Sequence, residues 1–268
     1  VFKMYTAIKT ENGAKYYIAQ HGNGYFTHRH RNPRIDELIA DKFLTWGWSN
    51  KLPKYIPMFV FKASGKLISY NNKGGLLLIE EPYSARHWLR YKSCEFLDYF
   101  ENQKKFVNQL AQAPKQKLTI RLSSLVFNIN LNETSRWLNF DRSLKIDDGK
   151  ARIGDLITDS RLVIHSYDST GLLETFSQNI PTLAFWQNEF DHLREEVKPH
   201  YQMLVDSGIL HFSVKSAANK VNEIWDDVDG WWLQSNVQDS KKRFCDIYAK
   251  SNKNPIKTMA SLLIKKDI

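Results

Sequence analysis

Cysteine is scarce in this sequence: 268 residues hold only two, Cys94 and Cys245. Two distant thiols cannot staple a chain of this length. That excludes a disulfide framework and points to a reducing compartment. Both read as small buried hydrophobes rather than reactive thiols. Long apolar runs are missing too, and no stretch approaches the ~20 residues that a membrane-spanning helix needs. Also missing are a Walker loop, a GxGxxG fingerprint and a nucleophile elbow. Helix-turn-helix, RNA-binding aromatic and zinc-finger patterns do not occur, so a nucleic-acid partner is not expected. There is no internal repeat and no low-complexity segment. Nothing at the start resembles a signal peptide. The chain opens on Val1 and reads as a processed chain or a piece of a longer one, with residues 1–8 already structured.

What is present is ordinary globular composition, 42% hydrophobic and 25% charged, which excludes a disordered chain. A chain this long buries roughly three quarters of its unfolded surface, so a large core is available. Lys and Arg total 38 against 29 Asp and Glu, a formal charge of +9. Basic residues gather at His28–Arg31, at Lys241–Arg243 and between Lys250 and Lys266. Phosphorylated small molecules and anionic membrane faces suit that balance.

Along the chain, Lys15–Gln20 reads as a strand that runs into the glycine loop His21-Gly22-Asn23-Gly24. A short helix over Ile35–Ala40 and a strand over Lys42–Trp46 follow. Residues 49–74 carry Pro53, Pro57, Gly65 and Gly74 and read as a linker. Gly75–Glu80 (GLLLIE) is a buried parallel strand, 93–112 a helix and Lys117–Leu122 a second strand. Arg161–His165 and Thr182–Trp186 are two more strands with a helix over Ser169–Phe176 between them, far enough apart for a parallel crossover. A helix over Lys198–Asp206 stops at Gly208, Ile209–Phe212 is a short strand, and Ala217 to Val228 has helical period. Strands alternating with helices predict a Rossmann-like open parallel α/β sheet.

Two loops stand out. His165-Ser166-Tyr167-Asp168-Ser169-Thr170-Gly171 joins a buried strand to a helix, where open sheets bind ligands. The helix N-terminus offers free N–H groups and a positive dipole end for phosphate, with hydroxyls from Ser169 and Thr170 and close approach at Gly171. Plain capping by Ser or Thr is the competing reading. Glu174, one turn on, suits sugar or ribose hydroxyls, or simply the dipole. The other loop, HGNG, sets His21 at a strand end as a base or phosphate donor, with Gly22 beside it; taken alone, the loop reads first as a turn with an incidental histidine. Arg86 and Arg121 follow or end two further strands and suit a diphosphate. Asp191-His192-Leu193-Arg194 follows another strand toward the same crevice. His28, His30 and Asp36 match no zinc spacing, and no metal is expected. Asp226, Asp227 and Asp229 read as a solvated helix end, and the neighbouring tryptophans as core.

The combination HGNGY, DKFLTWGW, IHSYDSTGLLETFSQNIPTLAFW and NEIWDDVDGWW, spanning Tyr16 to Phe244, resembles a family of surface-polysaccharide (O-antigen cluster) transferases. More distantly it is similar to the CDP-glycerol glycerophosphotransferases. The resemblance implies a GT-B fold of two Rossmann-like domains. Here 1–50 would be the end of the N-terminal domain, 51–74 a linker and 75–268 the C-terminal nucleotide-donor-binding domain. It implies that His21 lines the cleft from the N-terminal side, where it is the expected catalytic residue. Gly22, Arg86, Arg121, Ser166, Asp168, Ser169, Thr170, Gly171 and Glu174 would bind the donor. Ser123-Ser124 departs from the pattern, where related transferases carry Arg-x-His-Pro. The expected activity is metal-independent, cofactor-free glycosyl transfer from a nucleotide-sugar donor to a glycan or lipid-linked glycan acceptor. A polyol-phosphate transferase and a non-catalytic binding subunit are the alternatives. The expected location is cytoplasmic; the basic amphipathic helix 254–266 reads as one that closes the domain, with attachment to the inner membrane face as the alternative.

Overall fold

The computed structural model of the chain describes residues 1–30, 33–65, 68–82, 96–123 and 131–264. Arg31, Arg86, Cys94, Ser124 and Lys266, named above, lie outside them.

Helix α1 (Phe2–Glu11) precedes β1 (Tyr17–Ala19), α2 (Ile35–Ile39), β2 (Lys42–Thr45) and β3 (Tyr55–Pro57). These three strands form a parallel sheet in the order β1-β2-β3. The larger sheet is built from β4 (Gly75–Ile79), β5 (Leu118–Arg121), β6 (Lys145–Asp147), β7 (Ser160–His165), β8 (Thr182–Phe185) and β9 (Leu210–His211). Its order is β6-β5-β4-β7-β8-β9, and every pairing is parallel. Helices supply the crossovers: α3 (Phe96–Gln109) and α4 (Gln112–Gln116), α5 (Glu133–Phe140), α6 (Ile153–Thr158), α7 (Thr170–Ser177) and α8 (Lys198–Asp206); α9 (Val214–Ile224) follows the last strand. Then come α10 (Val228–Trp232), α11 (Ser235–Tyr248) and α12 (Pro255–Ile264). The predicted Rossmann-like open parallel sheet is the observed one.

The strand patterns explain why. Leu76, Leu77 and Leu78 are fully buried in β4, as are Leu162, Val163 and Ile164 in β7. A strand covered on both faces needs a continuous apolar run rather than an alternating one. One apolar cluster joins the two sheets through Phe43, Trp46 and Trp48 on one side and Leu76, Ile164 and Phe244 on the other.

Two boundaries differ from the sequence reading. The stretch 49–74 contains β3, whose Tyr55, Ile56 and Pro57 pair with Phe43, Leu44 and Thr45. Pro57 misled because proline argues against a central strand, yet β3 lies at the sheet edge, where proline is tolerated. The smaller unit also takes back the end of the chain: Leu262 and Met259 of α12 pack on Leu44, Met58 and Phe59. The helix expected through Val228 breaks at a 3-10 turn over Trp225–Asp227. There the Asp227 carboxylate accepts the Gly230 N–H at 2.8 Å and starts α10. Trp225, Trp231 and Trp232 are core, and Asp226 and Asp227 face solvent. Elements α5, β6 and α6 had no counterpart in the sequence reading.

Candidate functional site

In an open parallel sheet the loops at the carboxyl ends of the strands line the ligand crevice. The ends of β1 and β7 meet there. Gln20, buried after β1, fixes the first loop: its side-chain oxygen accepts Trp46 N–H at 3.0 Å and Trp48 Nε1–H at 2.8 Å, and its backbone oxygen accepts Trp46 Nε1–H at 3.0 Å. His21-Gly22-Asn23-Gly24 is thereby carried onto the start of α7. The Asn23 N–H donates to Thr170 Oγ1 at 3.0 Å. A Cβ on Gly22 would stand 3.0 Å from that same oxygen, so the contact favours glycine there. The two loops singled out in the sequence thus form one surface.

His21 is largely exposed, its side chain 65% accessible. Its Nδ1 lies 2.8 Å from the Tyr25 hydroxyl, which donates to Asp36 Oδ2 at 2.5 Å. Tyr25 has one proton and gives it to Asp36, so it accepts from His21 Nδ1–H. Nε2 then carries the lone pair and points away from the relay. Burial, with the hydrogen bond to Asp36 second, pushes the Tyr25 hydroxyl well above its ordinary range and keeps it a phenol. A base oriented by a second group and a third behind it is the arrangement that activates a hydroxyl nucleophile.

On the other side, α7 starts with Ser169 as its cap. Its Oγ accepts Leu172 N–H at 2.9 Å and lies 2.9 Å from His165 Nδ1. Burial drives the His165 imidazole down to about 3, so it stays neutral. Thr175 Oγ1 donates to Leu172 O and lies 3.5 Å from Nε2, which places the ring proton on Nε2 and leaves Nδ1 to accept a hydrogen bond from the Ser169 hydroxyl. Ser169 is 2% exposed and its hydroxyl is spent on the helix. The capping reading therefore accounts for Ser169. Ser166 is similarly committed: it donates to Ile79 O at 3.0 Å and accepts from the Tyr99 hydroxyl at 2.5 Å. Thr170 is different, because its Oγ1 accepts from Asn23 and keeps its own proton to give. Gly171 packs on His165, whose Cε1 would lie 2.8 Å from an added Cβ. Gly171→Ala is expected to cost about 1–3 kcal/mol through this clash with a fully buried ring. Urea unfolding checks it, and an unchanged midpoint would mean that the ring can move.

Asp168 also differs from the expectation of a donor ligand. Its side chain is 5% exposed. Oδ2 accepts from His192 Nε2 at 3.0 Å, Tyr201 Oη at 3.1 Å and His28 Nε2 at 3.2 Å, and Oδ1 accepts from Asn23 Nδ2 at 2.7 Å. Burial alone would raise this carboxyl, but the His192 and His28 contacts outweigh it and hold the group ionised. Arg121 ends β5 as predicted, yet it is bound to Asp147 at the end of β6. Glu174 lies on α7 with Lys62 Nζ 3.7 Å from its Oε1. Arg86 lies outside the described residues. A cavity of about 620 Å³ lined by Gly74, Gly75, Lys117 and Ser160 opens at the amino edge of the larger sheet, away from these loops. Strand-end geometry places the chemistry at the carboxyl edge instead.

The sequence reading missed Tyr25 and Tyr201, and took Asp36 only as a rejected metal ligand. Tyr25 sits inside HGNGY, and a buried aromatic directly after a glycine loop was the available signal.

The model of the LIC12162 family of transferases matches residues 1–263. No curated protein matches the chain. Among solved structures, the wall teichoic acid polymerase TagF aligns at 10% identity over 86% of this chain and 58% of its own, with a TM-score of 0.45. TarM aligns at 10% over 94% and 51%, TM-score 0.47. A UDP-N-acetylglucosamine 2-epimerase homologue from Listeria monocytogenes aligns at 10% over 87% and 61%, TM-score 0.47. The chain thus spans between 51% and 61% of the length of these structures. Among the described residues, no helix is long and apolar enough to cross a membrane.

Proposed function

The chain belongs to the LIC12162 family of transferases, and from that premise we propose that it moves a sugar from a nucleotide-activated donor to a hydroxyl of a surface glycan. The observation that carries the reading is the junction of the two loops. An exposed imidazole oriented by Tyr25 and Asp36 stands beside the N-terminus of α7. His21 Nε2 takes the proton of the acceptor hydroxyl. The acceptor oxygen bonds to the sugar carbon as that carbon's bond to the diphosphate breaks. The nucleoside diphosphate leaves toward α7, whose first-turn N–H groups and dipole stabilise the charge. Thr170 Oγ1–H adds a donor, and Glu174 accepts from ribose or sugar hydroxyls. Arg121, engaged with Asp147, the buried Ser166 and Ser169, and Asp168, whose side chain is 5% exposed, act behind this surface rather than on the donor. These steps require no divalent cation on the diphosphate and no other cofactor. The acceptor is a glycan or a lipid-linked glycan, met at the cytoplasmic membrane face. Ile256, Leu263 and Ile264 of α12 are exposed and lie in a lysine-rich segment, which supports an anionic membrane surface as a further partner.

Calorimetric titration with UDP, GDP, CDP, CMP, ADP and dTDP tests the reading. One nucleotide is expected to bind, and Thr170→Val to weaken it about 5–10-fold, the worth of one hydrogen bond. Binding confined to CDP and CMP would favour polyol-phosphate transfer of the CDP-glycerol kind. Binding without turnover would favour a non-catalytic subunit, the role suggested by the departure at Ser123-Ser124. If neither this chain nor a longer parent binds any nucleotide, the donor reading is wrong.

A further inference from the structure

His28, Asp168 and His192 come from three separate parts of the chain, yet one ligand atom from each lies within 4.8 Å of the other two. The backbone sets this up. His28 bridges antiparallel to Leu193, with Arg29 N–H donating to His192 O and Arg194 N–H donating to Thr27 O, both at 3.0 Å. That short ladder holds the two imidazoles edge to face, ring centres 5.0 Å apart. The loop after β7 brings Asp168 beneath them.

Three groups converge on one oxygen, Asp168 Oδ2: His192 Nε2 at 3.0 Å, Tyr201 Oη at 3.1 Å and His28 Nε2 at 3.2 Å. A carboxylate oxygen has two in-plane lone pairs, so three donors crowd it. The spacing suits a different occupant. Bonds of 2.0–2.2 Å in a tetrahedral zinc site put neighbouring ligand atoms roughly 3.3–3.6 Å apart. Asp168 Oδ1 is held by Asn23 Nδ2 at 2.7 Å, an orienting contact of the kind that fixes metal-bound carboxylates. The Asp168 and His28 side chains are 5% and 9% exposed, and His192, at 23%, leaves an entry path.

We propose that His28, Asp168 and His192 bind a divalent transition metal, zinc by preference, with Tyr201 or a water completing four-fold coordination. Two imidazoles and one carboxylate are borderline ligands that suit zinc and its first-row neighbours rather than magnesium or calcium. Each neutral imidazole carries its proton on Nδ1 and turns the Nε2 lone pair to the ion. The ion then fastens the segment after the HGNG loop to the loops after β7 and β8. This site is independent of the donor reading, and its test does not involve activity.

The intact chain, dialysed exhaustively after incubation with zinc, is assayed by inductively coupled plasma mass spectrometry. A parallel sample is loaded with Co²⁺ and its visible spectrum recorded. One equivalent of zinc and the visible absorption of four-coordinate cobalt are expected. His192→Ala, partly exposed and so tolerant of truncation, is expected to lose both, while His30→Ala keeps both. Asn23→Ala is expected to weaken zinc binding about 10–100-fold, the usual cost of an orienting contact. Circular dichroism establishes that each variant is folded. The cobalt spectrum of the unaltered chain decides the matter should a variant fail to fold. No stoichiometric zinc and no cobalt band, or equal binding by His192→Ala, would show that the cluster is only a hydrogen-bonded clasp.

Discussion

Replacing His21 by alanine is expected to lower sugar transfer about 10³-fold, the middle of the range that a positioned general base contributes. Nucleotide affinity and thermal stability should stay close to those of the parent chain. The separation follows from where the residue sits. The side chain is 65% exposed and contacts Tyr25 and Asp36 at the rim of the loop, so its removal is expected to open no cavity in the core. In the proposed reading the nucleotide is held on the other side of the junction, by the start of α7. The loss therefore belongs in kcat, since the interaction removed exists only while the acceptor proton is moving. Tyr25→Phe provides a graded companion. It keeps the ring in the core and removes the hydroxyl that joins His21 Nδ1 to Asp36 Oδ2. The imidazole then loses its orientation and its fixed tautomer, and a smaller fall in kcat is expected. Donor and acceptor turnover, followed by release of the nucleoside diphosphate, measures both variants. If His21→Ala turned over at the parent rate, the base would have to be another group and the relay would be structural.

The sequence made most of the scaffold legible because local signals suffice for it. GLLLIE, RLVIH and TLAFW are buried parallel strands by composition, and Gly208 ends α8 where its pattern stops. Both site loops were legible for the same reason, since glycine and small polar residues directly follow a strand. What the sequence could not show is how side chains spend their hydrogen bonds. Ser169 looks the same as a phosphate donor and as a helix cap. The choice depends on His165, whose buried ring accepts the hydrogen bond that a ligand would need. Asp168 has the same ambiguity: its partners His28 and His192 lie 140 and 24 residues away, and no spacing rule links them. Arg121 ends its strand as expected, but β6, which brings Asp147 beside it, carries too weak a local pattern to be seen. Contacts local in sequence were readable, and contacts made by topology were not.

Glu80→Gln is expected to make the protein progressively more stable than its parent as the pH is raised from 4.5 to 9. Glu80 closes the apolar run of β4 and is 3% exposed. Its Oε2 accepts Trp137 Nε1–H at 3.3 Å, and Oε1 has no hydrogen-bond partner among the described residues. Burial raises its carboxyl from 4.5 to about 8; the Trp137 contact opposes the rise and Glu133 adds to it. The carboxyl is raised rather than lowered, so the neutral acid is the form that the fold favours. Below pH 4.5 it is protonated in both folded and unfolded chains, and its contribution is fully present. Between 4.5 and 8 the unfolded chain gives up the proton while the folded chain keeps it, and stability falls. Above 8 the charge is buried and the loss is complete. At 1.36 kcal/mol per pH unit the ceiling is about 5 kcal/mol, and relaxation of the surroundings brings the expected difference to a few. The glutamine matches the neutral acid in shape and never ionises, so its unfolding free energy should lack this slope. Urea unfolding of both proteins at pH 5, 7 and 9 measures the gap, and parallel curves would mean that water or a cation reaches the carboxylate. The position gives the slope a wider consequence. Glu80 lies directly beyond Ile79, which pairs with His165 at the end of β7, and Ile79 O accepts the Ser166 hydroxyl. Ionising Glu80 is therefore expected to strain the end of β4 that pairs with the end of β7, so the start of α7, the proposed donor side, should loosen at alkaline pH before the rest of the fold does.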